Sequence, residues 1–411
     1  MAVPAGRSTT AIGWRAVITG LATDTVAILP GFMTAGMAVQ IRADIGMSLT
    51  GLGVALGVFF GSAAVASAPM GALAERWGWP RSLRIAALAA GASLAATGWL
   101  AQSAAGLIAI FAAGGVAVAL GHPAANLAVA RCVPAHRHGL FYGLKHAAVP
   151  ASTLLGGLAV PAIALTVGWR WAFLGGALLA LATALAVPTR RYQFVSDQVV
   201  SPRRHERPRP STELRLLVIL SIAVGLGIGG IDALASFIVS YSVDIGIEEG
   251  TAGLLLAAGS VIGISVRVVA GWMIDRKRES DLFAVAVMLV VGSGGVIVLN
   301  LGGTVGLLVG GLIAFAAGWG WSGLFTFAVV KDNPNAPAAA TGVTQVGKLV
   351  GAALGPAAFG WLADSVDYAT AWWTITGTLL VASGLLLYVR NRRTAGTIQP
   401  VLLHPPVEGT S

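Results

Sequence analysis

About twelve apolar runs, each close to the thickness of a bilayer's hydrocarbon core, limit what this chain can fold into. A helix needs roughly 20 apolar residues to cross that core. The runs fall at approximately 15–39, 49–72, 82–101, 105–129, 139–166, 171–188, 214–241, 251–273, 282–301, 304–329, 338–362 and 370–389. They are continuously apolar rather than alternating, which predicts helices and not a barrel. Of 411 residues, 56% are apolar and only 10% charged, against about 25% charged in a soluble domain. The joins at 102–104 and 302–303 carry no charge and are marked only by Gly, Gln and Ser.

The net charge of +9 is distributed by side of the membrane. With the N-terminus inside, the inner loops hold Arg7, Arg15, Arg76, Arg81, Arg84, Arg131, Arg137, the cluster from Arg190 to Arg215, Arg276, Lys277, Arg278, Lys331, Arg390, Arg392 and Arg393. The outer loops hold Arg42 and Arg170 among the acids Asp44, Asp244, Glu248, Glu249, Asp364 and Asp367. This asymmetry places both termini in the cytoplasm and explains the basic balance without a nucleic-acid partner. The lone Cys132 excludes an intramolecular disulfide and has no metal-ligand partners in sequence, so neither metal nor cofactor is expected. No cleavable signal peptide is expected, because the first apolar run is too long. Arg in excess of Lys, with abundant Ala and Gly, points to a GC-rich bacterial genome and hence an inner membrane.

An internal repeat divides the chain. Gly71-Ala-Leu-Ala-Glu75-Arg76-Trp-Gly78-Trp-Pro-Arg81 returns 200 residues later, in weaker form, as Gly271-Trp-Met-Ile-Asp275-Arg276-Lys277-Arg278. Asp44-Ile45-Gly46 returns as Asp244-Ile245-Gly246 at the same spacing. Gly143 and Gly156 return as Gly342 and Gly355, 199 residues on. Residues 189–213, rich in Arg and Pro, read as a cytoplasmic linker between a six-helix unit at 1–188 and another at 214–389, with a tail at 390–411.

Parallel six-helix repeats joined by a cytoplasmic linker resemble the major facilitator superfamily. The Gly71–Arg81 segment is similar to its signature loop between helices 2 and 3, roughly G-x-L-a-D-R-x-G-x-[RK]. Here Glu75 replaces Asp and Arg81 falls one place late. The resemblance implies an all-α membrane protein of twelve transmembrane helices in two pseudo-symmetric bundles. It implies a transporter, not an enzyme, working as a monomer among membrane lipid and alternating access to a midplane site. It also implies a state-dependent charge network around Glu75 and Arg76. Gly71 is expected to give close helix approach and Gly78 a tight turn. Gly271, Asp275 and Arg276 form the weaker counterpart. Arg267, one turn before Gly271, either snorkels to the membrane surface or faces the seam between the halves.

Buried charge points to the site, since a charge at mid-bilayer costs roughly 2.5–3.5 kcal/mol unless paired or hydrated. Asp24, Lys145, Asp232 and Lys348 lie within the first, fifth, seventh and eleventh runs. By the resemblance, helices 1, 4, 7 and 10 line the cavity, flanked by 2, 5, 8 and 11. Lys145 lies in Gly143-Leu-Lys145-His146-Ala-Ala-Val-Pro150, similar to a K-Q-x-x-x-P signature with His146 in place of Gln. It is expected to contact an anionic substrate, the alternative being a permanent pair with Asp24 or Asp232. Asp232, after the glycine run 225–230, is the first candidate to carry a proton; Asp24 is the second, or else a polar group near the cytoplasm. His122 and Asn126 share a helix face, and His122 either relays protons or packs. Gln345 and Lys348 are the second-half counterparts of the Lys145 region. Trp319, Trp321 and Phe325 either wall the cavity or pack. Gly347, Gly351 and Gly355 predict close packing of helix 11.

The helix-5 and helix-4 motifs usual in drug exporters of the superfamily are lacking, and no nucleotide-binding loop or nucleophilic triad is visible. The expected function is secondary, proton-coupled transport of a small organic anion. The alternatives are a proton-coupled exporter of hydrophobic compounds and a membrane sensor without flux.

Overall fold

The computed structural model describes residues 8–133, 138–188, 214–277, 282–333 and 337–397. It is all-helical, with twelve helices long and apolar enough to cross a membrane. In the first half these are α1 Trp14–Gly36, α2 Leu49–Trp77, α3 Trp79–Leu100, α4 Ala104–Cys132, α5 Leu140–Ala164 and α6 Trp169–Ala186. In the second half they are α7 Leu214–Asp244, α8 Glu249–Met273, α9 Leu282–Leu301, α10 Gly303–Asp332, α11 Ala340–Ser365 and α12 Tyr368–Arg393. The expected linker at 189–213 lies outside the described residues. The last helix runs on to Thr397 rather than ending near 389.

The ends of the spans are fixed locally. Ser48 and Ser103 accept hydrogen bonds from the backbone N–H groups of Gly51 and Gly106, capping α2 and α4. Asp367 does the same for Thr370 at the start of α12, which holds this exposed carboxyl below the usual carboxylate range. The repeated Asp-Ile-Gly has a backbone cause. Gly46 and Gly246 end helices with φ of +64° and +89°, a conformation that favours glycine. The first apolar run is also not one helix: a turn at Met37 separates α1 from a short helix, Ala38–Ile45.

Two spans are broken inside the membrane, which their continuous apolar runs do not reveal. The α5 helix is interrupted at Ala147 and ends in a π-helical segment, Val160–Ala164. The α10 helix contains a π-helical segment, Ala314–Gly318, and turns again at Trp321. Such segments change which residues share a face.

Small residues bring the helices together backbone to backbone, as the glycine spacing predicts for α11. A Cβ added at Gly347, Gly351 or Gly355 would stand 1.8, 2.0 and 2.1 Å from the carbonyl oxygens of Ser221, Gly225 and Gly229 in α7. Across the halves, Gly53 and Gly57 of α2 meet Pro356 and Ala353 of α11, and Gly157 of α5 meets Gly253 of α8. Gly71 is a correction: a Cβ there would have nothing within 4 Å, so it supplies no close approach in this conformation. Gly351→Leu should therefore cost about 1–3 kcal/mol, or prevent folding, by overpacking. Gly71→Ala should stay within about 0.5 kcal/mol of the parent. Thermal retention of a single size-exclusion peak in detergent measures both.

Candidate functional site

The charged residues that the sequence scatters over several spans converge between the halves. Asp24 of α1 is fully buried, with its two oxygens facing two bases. Lys145 Nζ lies 3.3 Å from Oδ2, and His122 Nδ1 lies 3.5 Å from Oδ1. Lys145 is 1% exposed and His122 28% exposed, so the imidazole is this cluster's accessible member. Asp24 is thus no peripheral polar group, and Lys145 has the Asp24 partner foreseen as the alternative to substrate contact. The separations are those of ion pairs, with neither oxygen in a well-formed hydrogen bond.

In the second half, Asp232 is buried within electrostatic reach of the Trp319 side chain and of Arg267. Arg267 does not snorkel. It is 4% exposed; its Nε donates to the Trp319 carbonyl at 3.1 Å and its guanidinium also donates to the His146 carbonyl in the other half. Lys348 is half-buried, donates to Thr326 Oγ1 at 2.9 Å and sits 5.8 Å from the Phe325 ring centre. Lys145 and Arg267 are both within electrostatic reach of Lys348. His146 is within electrostatic reach of Lys145, Lys348, His122 and Arg267. The sequence marked His146 only as a departure from a motif; its neighbours come from four different spans and leave no signal in the chain.

Asn126 is exposed and Gln345 half-buried. The aromatic group divides. Trp319 meets Phe32 of the first half edge-on, with ring centres 6.2 Å apart, and Phe32 continues to Phe60. Trp321 instead is buried within the second half against Gly227 and Phe325, a packing position in this conformation. Among the described residues, no three His, Cys, Asp or Glu side chains stand together to hold a metal ion.

At one end of the bundle, Gly78 makes the α2–α3 turn with φ of +79°, as expected. Arg81 lies over the Trp77 ring, 5.1 Å from its centre. Glu75 and Arg76 are exposed, and neither makes an ion pair with another described residue. Gly143 packs on the backbone of Arg267 and Gly271, closing α5 on α8 there. The side chains of Asp275 and Arg276 lie outside the described residues.

The opposite end is latched across the halves by residues that the sequence marked only as outer acids. Asp364 of α11 accepts from the backbone N–H groups of Leu49, at 3.1 Å, and Thr50, at 2.5 Å, so it caps the first turn of α2. Gln40 donates to Glu249. The contacts of Gly53, Gly57 and Gly61 with α11 lie in this half of α2 as well.

The model of the Major Facilitator Superfamily matches residues 21–356. Monocarboxylate transporter 12 of Mus musculus is 24% identical over 293 residues, covering 61% of this chain and 59% of that protein. Its counterpart in Rattus norvegicus is 25% identical over 179 residues, covering 41% of this chain and 36% of that protein. The chain thus aligns with less than two thirds of the length of these relatives. A crystal structure of a D-xylose-proton symporter superimposes with a TM-score of 0.70 at 18% identity, covering 92% of this chain and 97% of that one. A proton:xylose symporter bound to 6-bromo-6-deoxy-D-glucose gives 0.70 at 16% identity, with 92% and 96% covered. At such identities these likenesses speak for the fold.

The latch yields a prediction. Losing a capping carboxylate costs about 0.5–2 kcal/mol, so Asp364→Ala should raise the population open at that end by roughly 2- to 30-fold. Spin labels at Val167 and Val366, exposed positions in opposite halves, report that opening as a longer distance. An unchanged distance distribution would remove Asp364 from the latch.

Proposed function

This chain belongs to the Major Facilitator Superfamily, and from that membership we propose that it carries a small organic anion together with a proton across a bacterial inner membrane. The family is one of transporters, and the fold and multi-pass character follow from it. Both termini are read as cytoplasmic from the loop charges, which makes the Glu75 end the inner one and the Asp364 end the outer one.

The observation that carries the anion reading is Lys348. This residue is half-buried, and its ammonium group is bonded to a neutral hydroxyl. Three basic side chains, Lys145, Arg267 and Lys348, stand against two carboxylates, Asp24 and Asp232. An unmatched cation in low dielectric attracts an anion. Exposed Asn126, half-buried Gln345 and the accessible His122 edge offer it hydrogen bonds. The relatives named as monocarboxylate transporters support the same class of cargo.

The geometry at Asp24 supports proton coupling. While Asp24 is ionised it holds Lys145. A proton delivered through His122 neutralises Asp24 and frees the ammonium for the anion's carboxylate. The loaded site then has the same net charge as the empty one. That equality matters because an added charge is expensive to carry through hydrocarbon. Asp232, beside Trp319 and Arg267, is the second proton-binding candidate. In the inner gate, Glu75, Arg76 and Arg81 around Gly78 engage when that face closes, and Asp275 and Arg276 after Gly271 form the weaker latch.

In proteoliposomes, uptake of labelled lactate or pyruvate should be accelerated by an acidic outer solution, because proton and anion load together. Lys145→Ala and Asp24→Asn should each lower gradient-driven uptake by about tenfold or more, the scale of one lost charge-assisted bond. Asp24→Asn should also remove the pH dependence of anion binding. Uptake indifferent to the gradient would defeat the coupling, and intact anion binding in Lys145→Ala would remove that residue from the site. Resistance to several unrelated drugs, with no organic-acid uptake, would identify the exporter alternative instead.

A further inference from the structure

The break in α5 has a covalent cause. Pro150 has no N–H, so the carbonyl of His146, four residues earlier, has no donor within its own helix. The backbone around it closes up without serving it: Ala147 N–H donates to Gly143 and Leu144, and Ala151 N–H resumes the ladder at Ala147. In hydrocarbon such a carbonyl must find a partner inside the protein. The partner comes from the other half of the molecule, the guanidinium of Arg267 on α8.

The same guanidinium reaches the second broken helix. Its Nε donates to the carbonyl of Trp319, the residue directly after the π-helical segment of α10, and its carbon lies 5.5 Å from the Trp319 ring centre. A planar fork of fixed donors suits two carbonyls held at a set separation better than a lysine would. The first half is shaped to this approach, because a Cβ at Gly143 would stand 2.9 Å from the Arg267 carbonyl oxygen. Each broken helix also lies next to a charged site residue: Lys145 directly precedes His146, and the Trp319 side chain is within electrostatic reach of Asp232.

We propose that Arg267 is a positioning residue that staples the Pro150 break of α5 to the π-segment break of α10, so that the halves rock only when the guanidinium gives up the His146 carbonyl. The staple sets Lys145 and Asp232 in register across the seam. It does not depend on which substrate is carried, so it stands or falls separately from the anion reading.

Pro150→Ala supplies the test, since it restores the missing N–H and gives the His146 carbonyl a donor of its own. Labels at Arg131→Cys and Lys331→Cys, exposed residues in opposite halves, are placed in a Cys132→Ser background. Double electron–electron resonance on the full chain then reads the separation of the halves for the parent, Arg267→Gln, Pro150→Ala and the double variant. Arg267→Gln is expected to shift the ratio of near to far populations. In the Pro150→Ala background that shift should shrink by about twofold or more, the lower range for residues that share a partner. If Arg267→Gln fails to fold, Arg267→Lys enters the same cycle under the same criterion. Equal shifts in both backgrounds, or none from Arg267, overturn the staple.

Discussion

Every polar group that this chain takes into hydrocarbon must be satisfied by the chain itself, and the arrangement of the helices depends on that requirement. Asp24 is tolerable at full burial because Lys145 and His122 come to it from two other helices. The His146 carbonyl, left without a donor by Pro150, is tolerable because Arg267 reaches it from the other half. Each solution joins elements far apart in the chain, so satisfying the backbone and the charges also assembles the site. An isolated six-helix half would leave the His146 carbonyl without this donor and Arg267 without one of its two acceptors.

The two kinds of contact between halves divide the work of moving and stopping. Glycine faces such as Gly53 on Pro356 and Gly157 on Gly253 meet through backbone and small side chains, with little directional bonding to break. Such surfaces let the halves shift at low cost. Directional bonds are set at chosen points: Asp364 on the first turn of α2, Gln40 on Glu249, and Thr153 against Ser260, whose hydroxyls lie 2.7 Å apart. These define a state rather than the fold, because each gives up only a few polar partners when the halves separate: water can replace those at the membrane surface, and the Thr153 and Ser260 hydroxyls keep carbonyls of their own helices.

The fold was legible in the sequence because the bilayer imposes a length on each apolar run, and the described spans fall where the runs do. The tight turn at Gly78 and the glycine contacts of α11 were legible too, since each rests on a local backbone requirement. Three things were not. The π segments of α5 and α10 leave the apolar run unbroken, so hydropathy passes over them. Gly71 looked like a contact glycine because its motif is one, but contact depends on the position of the other half. The charges were each visible as costly, yet the partners that Asp24 and Arg267 take are facts of helix placement, which spacing along one helix cannot encode.

Charge balance then separates kinds of cargo on one fold. The solved structures that share this architecture are xylose-proton symporters, and a neutral sugar asks for hydrogen-bonding groups without a net charge beside them. Here Lys348 leaves a cation bonded to a neutral hydroxyl, within reach of two further basic side chains. Mutual repulsion among these cations opposes their approach as the halves close around an empty site. On the proposed function, an anion would remove that repulsion, and a proton on Asp24 would free one more donor to hold it. The same electrostatics that recruit the cargo would therefore make closure of the site conditional on its being loaded, which is the requirement that any coupled carrier must meet.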